Sequence, residues 1–124
     1  MKQPTKKSKK EERYTTEEQI GLYETISPLL HSAFDEIKEF SKKKQDEPLN
    51  VKKVKMINRL LEKAKEVLKN ETTVAFLDLL DENELPSNSD AVLTMSQYIS
   101  ALRKFRSDHY HSGDWDMNLG GEWD

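Results

Sequence analysis

The residues best suited to chemistry lie in one short run near the end of the chain, Arg106-Ser-Asp-His-Tyr-His111. A guanidinium group offers a planar fork of hydrogen-bond donors that matches a phosphate. An imidazole titrates near neutral pH and can act as a general base. Arg106 and His111 therefore have the composition of a site that binds a phosphate and moves a proton.

The R-x4-H spacing of Arg106 and His111 resembles the short signature of HEPN-type ribonucleases, which are also small helical domains. The resemblance covers six residues of the chain. It implies a pair that acts across a dimer, in which Arg106 steadies the RNA phosphate and His111 is the base that assists attack by the 2′-hydroxyl. The alternative interpretation is that these cationic side chains cap the end of a helix, with His109 packed at the edge of the core.

Metal binding is the second chemistry that residues at this end of the chain could support. His109, His111, Asp108 and Asp114 offer nitrogen and oxygen ligands close together in sequence. Alternate residues of a helix point roughly 160–200° apart, so the two histidines could share an ion only beyond the helix end. We predict neither a metal site nor a cofactor. The chain has no cysteine, which excludes disulfides and thiolate chemistry.

The helix that carries these residues is predicted over Ser89–His111, with Ser89 or Asp90 as its N-cap. Its apolar positions recur at intervals of three and four residues, which places them on one face. They are Ala91, Met95, Tyr98, Leu102 and Phe105. Gly113 follows as a typical C-terminal stop. We expect this helix to anchor the core.

A first helix is predicted over Thr16–Lys43. Thr15 and Glu18 have the spacing of a capping box at its start. Pro28 lies inside the helix and cannot donate a main-chain hydrogen bond. The apolar phase nevertheless continues across it, which predicts one kinked helix rather than two.

Two more helical segments follow. The second helix is predicted over Val51–Lys69, with Asn50 as its N-cap. A short third helix over Thr73–Leu80 is apolar on most sides, so it is either buried or offers apolar surface to a partner.

These four segments and their short polar connections predict an all-α fold, a compact antiparallel bundle of about four helices, one of them short. The bundle domain is expected over residues 15–111. A disordered basic tail at residues 1–14 precedes it, and an acidic, flexible tail at residues 112–124 follows it.

The formal net charge of −3 hides strongly charged segments. Residues 38–69 contain eleven basic and five acidic residues, whereas residues 71–90 contain six acidic residues and no basic one. Two basic groups could bind the phosphates of a nucleic acid through charge alone. They are Lys52, Lys55, Arg59 and Lys63 on the second helix, and Lys6, Lys7, Lys9 and Lys10 in the N-terminal tail. The alternatives are a solvated helix face and a solubilising tail.

The acidic C-terminal tail carries four large apolar residues, Trp115, Met117, Leu119 and Trp123. Acidic segments with aromatic residues commonly dock on a partner as short linear motifs. Tryptophan is also enriched at the hot spots of interfaces. We predict that this tail binds a protein partner or folds back onto the basic face of the second helix.

The sequence contains no phosphate-binding glycine loop and no nucleophile–base arrangement, and it has no apolar run of the roughly 18 residues that cross a membrane. We therefore predict a cytoplasmic protein, not held in a membrane and without catalytic activity. It would act by protein–protein interaction as an adaptor, an inhibitor or an antitoxin-like regulator. The alternatives are the ribonuclease with Arg106 and His111 and an accessory nucleic-acid-binding protein. A homodimer is also compatible with the sequence.

Overall fold

The structure, a computed structural model, describes residues 16–112 and 121–123. Helix α1 spans Glu17–Lys43, α2 spans Val51–Val67 and α3 spans Asn88–His109. A 3₁₀ helix at Thr72–Phe76 lies between α2 and α3. Two short strands, β1 at Tyr110–Ser112 and β2 at Gly121–Trp123, pair antiparallel after α3; the sequence patterns did not predict them.

Helix α1 begins at a capping box. The Thr16 hydroxyl accepts a hydrogen bond from the Gln19 main-chain N–H at 3.0 Å, and the Gln19 side chain accepts one from the Thr16 N–H at 3.0 Å. The sequence pattern alone assigns these roles to Thr15 and Glu18, one residue earlier, because both pairs have the same spacing. The helix continues through Pro28, so the prediction of one helix rather than two is confirmed.

Helix α2 begins where the sequence predicts. The Asn50 side chain accepts a hydrogen bond from the Lys53 main-chain N–H at 2.8 Å, which satisfies one of the free donors of the first turn. The helix ends at Val67, two residues before the predicted end at Lys69. Helix ends fray, and such differences are within the usual range.

Helix α3 begins at Asn88, one residue before its predicted start, and the prediction of Ser89 or Asp90 as its N-cap is wrong. Its N-cap is Ser87, whose hydroxyl accepts a hydrogen bond from the Asp90 N–H at 3.1 Å. Asn88 is then the first helical residue, and its buried side chain donates to the Lys44 carbonyl at 2.8 Å. This bond ties the start of α3 to the end of α1. The helix ends at His109 rather than at His111, because β1 begins at the next residue.

The three α-helices form a bundle around α1, which packs against both α2 and α3. The Gln19 side chain donates to the Val67 carbonyl at 3.0 Å, so the start of α1 lies beside the end of α2. The Tyr23 and Phe105 rings are 5.7 Å apart, so the start of α1 also lies beside the end of α3. Both helices therefore run antiparallel to α1, and the predicted all-α bundle is confirmed.

The short third helix predicted at Thr73–Leu80 is present only in part, as the 3₁₀ helix at Thr72–Phe76. The 3₁₀ helix ends at Phe76, and the chain continues without helical structure. Leu80 bonds instead to the Asn58 side chain: its N–H donates to Asn58 Oδ1 and its carbonyl accepts from Asn58 Nδ2, both at 2.8 Å. The Asn58 side chain therefore satisfies the main-chain N–H and carbonyl of Leu80, which a helix would otherwise bond internally.

The core lies where α1, α2 and α3 meet the segment that connects α2 to α3. Its largest fully buried side chains come from all three α-helices and from the residue after α2; they are Tyr98, Phe105, Leu30, Leu61, Leu68, Met95, Val54 and Val67. The connecting segment contributes Leu77 and Leu80, both buried. The apolar stripe predicted for α3 therefore faces the core, as expected from its spacing.

Candidate functional site

Arg106 lies on the exposed surface near the end of α3. Its guanidinium carbon is 4.3 Å from the centroid of the Tyr110 ring, a cation–π contact across the junction of α3 and β1. His111 lies in β1, so the predicted pair of Arg106 and His111 spans the end of the helix. The side chain of His111 lies outside the part of the chain that the structure describes, and the catalytic role of the pair stays a prediction.

His109 has a structural environment. Its Nε2 atom lies 3.0 Å from Glu71 Oε2, and its ring centroid lies 5.1 Å from that of Phe105. Only 14 % of the His109 side chain is exposed. The contact joins the last residue of α3 to the residue that precedes the 3₁₀ helix, so His109 fixes the start of that segment.

The predicted basic patch lies on the exposed face of α2. Lys55 Nζ is 3.8 Å from a Glu82 carboxylate oxygen, and Lys63 Nζ is 3.5 Å from one of Glu66. Acidic residues therefore neutralise part of the patch, while Lys52 and Arg59 form no ion pair with another described residue. This mixture is typical of a solvated helix face and weakens the attraction for a polyanion.

The two predicted tail sites lie mostly outside the described residues. This applies to Lys6, Lys7, Lys9 and Lys10 at the N-terminus, and to Trp115, Met117 and Leu119 near the C-terminus. Of the fourth predicted tail residue, Trp123, the structure describes the main chain, which pairs with Tyr110 between β2 and β1. The tail sites stay predictions.

The most exposed large apolar side chain among the described residues is Phe76, of which 79 % is accessible to solvent. It borders a groove of about 390 Å³ between the 3₁₀ segment and α3, here called the Phe76 groove. The groove is lined by Thr73, Phe76, Leu77, Ser96, Gln97, Ser100, Ala101 and Lys104. Leu93, also well exposed, lies one turn before Ser96 and Gln97 on α3.

The sequence only partly indicates this groove. The apolar run at Thr73–Leu80 suggests surplus apolar surface, but it does not distinguish Phe76 from the buried Leu77 and Leu80. The distinction depends on the local backbone, because the 3₁₀ helix and the extended chain after it set which side chains face the core. The α3 wall of the groove consists of small and polar residues that carry no pattern of their own.

No protein-family model matches the chain, and no curated protein and no solved structure matches it. None of the helices in the described part of the chain has an apolar stretch long enough to cross a membrane. Within the same residues, no three His, Asp or Glu side chains come together in a group that could hold a metal ion.

Proposed function

We propose that this protein is a small helical interaction module that binds a protein partner through the Phe76 groove. The exposure of Phe76 carries the proposal. Burying a phenylalanine side chain contributes about 1.5–3 kcal/mol relative to leaving it in water. A large exposed aromatic side chain beside a shallow groove is the usual arrangement of an interface anchor.

The attachments on both sides of Phe76 support the proposal. Glu71, before the 3₁₀ helix, contacts His109 at 3.0 Å. The Tyr98 hydroxyl donates to the carbonyl of Asp78, after the 3₁₀ helix, at 2.8 Å. The segment between these two contacts is therefore ordered before any partner arrives. A preordered anchor loses less conformational entropy on binding, so more of its burial energy appears as affinity.

An interaction module of this kind fits the predicted roles of adaptor, inhibitor or antitoxin-like regulator, which differ only in what the partner does. All of them need a stable surface and no catalytic group. The acidic tail with Trp115 and Trp123 would add a second contact to the same partner, with the gain in affinity that two linked sites give.

Photo-crosslinking tests the proposal. A photoreactive phenylalanine analogue replaces Phe76 in one sample and Leu29 in another, since Leu29 is 53 % exposed but lies on α1, away from the groove. We expect a specific protein adduct from position 76 and none from position 29. The captured protein is identified by mass spectrometry and then purified.

Binding of the purified partner is then measured by calorimetry. Phe76→Ala is expected to weaken binding about 30-fold, which corresponds to about 2 kcal/mol, and Leu29→Ala should leave the affinity unchanged. The variant should remain folded because the Phe76 side chain is outside the core. Equal crosslinking from both positions, or an unchanged affinity of Phe76→Ala, would contradict the proposal.

A further inference from the structure

A second groove lies on the other side of α3, between α3 and α1, and has a volume of about 400 Å³. We call it the basic groove. Tyr23, Ser27 and His31 of α1 line one wall, and Ile99, Leu102, Arg103, Arg106 and Ser107 of α3 line the other. The R-x4-H motif singles out Arg106, but the residues that line this groove with it come from α1 and from neighbouring positions of α3.

The charges of the basic groove have one sign. Arg103 and Arg106 always carry a positive charge, His31 adds an imidazole ring, and no carboxylate lines the groove. None of these three residues forms an ion pair with another described residue. Elsewhere on the surface, by contrast, Lys42, Lys55, Lys63 and Lys104 each lie within 4.0 Å of a carboxylate. Neither arginine side chain donates a hydrogen bond to another described residue, so both guanidinium groups can donate to a ligand.

The groove is also partly preorganised. The stacking of Arg106 on Tyr110 at 4.3 Å restricts the guanidinium before any ligand binds. Ser27 and Ser107 provide hydroxyl donors on opposite walls, and the buried side chains of Ile99 and Leu102 form an apolar floor. Guanidinium groups and hydroxyls over an apolar floor match a ligand with an anionic head and an apolar body.

The size of the groove favours a small ligand over a nucleic acid. A polynucleotide needs positive charge along its backbone. On α1, however, the exposed residues Glu24 and Asp35 lie one helical turn from Ser27 and His31, where they would repel a long polyanion. A groove of about 400 Å³ lies at the small end of the range for ligand pockets.

We infer that the basic groove binds a small phosphate monoester, whose phosphate contacts Arg103 and Arg106 while its organic part covers Ile99 and Leu102. The inference does not depend on the proposed protein partner, because the Phe76 groove shares no lining residue with this one. A ligand at this site would make the protein responsive to a phosphorylated small molecule.

Titrations of the full chain with phenyl phosphate and with inorganic phosphate test the inference. Calorimetry measures the affinity, and NMR chemical shifts of the Ile99 and Leu102 amides report binding at the groove. We expect phenyl phosphate to bind at least fivefold more tightly than inorganic phosphate. Arg103→Ala and Arg106→Ala should each weaken the binding of phenyl phosphate at least tenfold. Arg59→Ala, an equal loss of charge on the exposed face of α2, should leave it unchanged.

Three outcomes would overturn the inference. Equal weakening by Arg59→Ala would show that only the overall charge matters. Equal affinity for the two phosphates would exclude a role of the apolar floor. Binding of a short single-stranded RNA that depends on Arg103, without binding of phenyl phosphate, would assign the groove to nucleic acid instead. Circular dichroism of each variant confirms that these exposed substitutions leave the fold intact.

Discussion

Buried polar side chains join the segments of this bundle. Gln19, Asn58 and Asn88 are the buried polar residues of the described chain, and each donates to a main-chain carbonyl of a segment outside its own helix. No buried side-chain nitrogen or oxygen in that part of the chain lacks a partner. Because an unpaired buried amide costs about 1–3 kcal/mol, these residues favour one arrangement of the segments over its alternatives.

Tyr98 shows how a single buried group makes stability depend on pH. It is fully buried in α3, and its hydroxyl donates to the Asp78 carbonyl at 2.8 Å. Burial raises the pKa of the Tyr98 phenol, and the negative charge of Asp78 raises it further. Above a pH of about 10 the unfolded chain therefore loses this proton while the folded protein keeps it. Because the folded state then holds more protons, its stability falls as pH rises.

We predict that Tyr98→Phe removes this part of the alkaline loss. Urea unfolding at pH 7, 10 and 11 gives the free energies. The substitution should lower stability by about 1 kcal/mol at pH 7, since the Asp78 carbonyl loses its donor. Above pH 10 the wild type should lose up to about 1.4 kcal/mol per pH unit more than the variant. Parallel curves for the two proteins would disprove the assigned role of the phenol.

At the scale of the elements, the sequence predicts those features that depend only on residues close together in the chain. The apolar phases of α1, α2 and α3 and the cap at Asn50 follow from spacing and side-chain chemistry, and the structure agrees with them to within about two residues at each end. The 3₁₀ segment could not be predicted in this way. The chain that follows the 3₁₀ helix is held by Asn58, which lies 22 residues before its bonding partner Leu80.

The candidate sites also divide into features that the local sequence predicts and features that depend on packing between elements. Arg106 could be singled out because its motif is local, whereas its companion His31 lies on a different helix and joins it only through packing. Phe76 belongs to an apolar run that the sequence assigns to a helix, so its exposure could not be read from the pattern. Sites built from two elements need the packing of those elements, which a single sequence specifies only indirectly.

Pro28, inside helix α1, lowers the stability of that helix. Proline cannot donate to the Glu24 carbonyl, and an interior proline destabilises a helix by about 3 kcal/mol. Pro28 is exposed, so water can reach part of the unpaired main chain. We predict that Pro28→Ala stabilises the protein by about 2 kcal/mol, the helical gain being reduced by about 1 kcal/mol because the unfolded chain becomes more flexible.

Thermal and urea unfolding measure this gain. Gly21→Ala is the control in the same helix: an added Cβ there meets nothing within 4 Å, so it should gain only helix propensity, about 1 kcal/mol. If Pro28→Ala gained no more than Gly21→Ala, or lost stability, the proline would be better accommodated than its chemistry implies.

At the scale of the whole molecule, the extended segment at residues 77–82 lies where a regular four-helix bundle would have a further helix. Both α2 and α3 run antiparallel to α1 and hence parallel to each other, so the chain must return along α2 before α3 can begin. Lys65 donates to the Leu77 carbonyl at 3.0 Å, Asn58 bonds Leu80, and Lys55 lies 3.8 Å from Glu82. The returning chain thus runs antiparallel to α2.

The lengths explain why this returning chain is extended. The part of α2 from Lys55 to Lys65 rises about 15 Å. An extended chain from Leu77 to Glu82 spans about 16 Å, whereas the same residues in a helix would span about 7.5 Å. Only the extended form reaches all three contacts. The antiparallel order predicted for the four segments is therefore kept, with an extended third segment.

This arrangement makes Asn58 the residue on which the third segment depends. We predict that Asn58→Ala lowers the free energy of unfolding by about 2–4 kcal/mol, because the buried N–H and carbonyl of Leu80 both lose their partner. Asn70→Ala, on the exposed surface after α2, should change it by less than about 0.5 kcal/mol.

Hydrogen exchange separates this role from simple loss of packing. In the wild type the Leu80 amide should exchange as slowly as the core of α2, and in Asn58→Ala it should exchange much faster while the central amides of α1 stay comparatively protected. A Leu80 amide that exchanges quickly in the wild type would mean that the segment opens independently of the helices. In that case the preorganisation of Phe76, which lies next to this segment, would also be lost, and the affinity expected for its partner would fall accordingly.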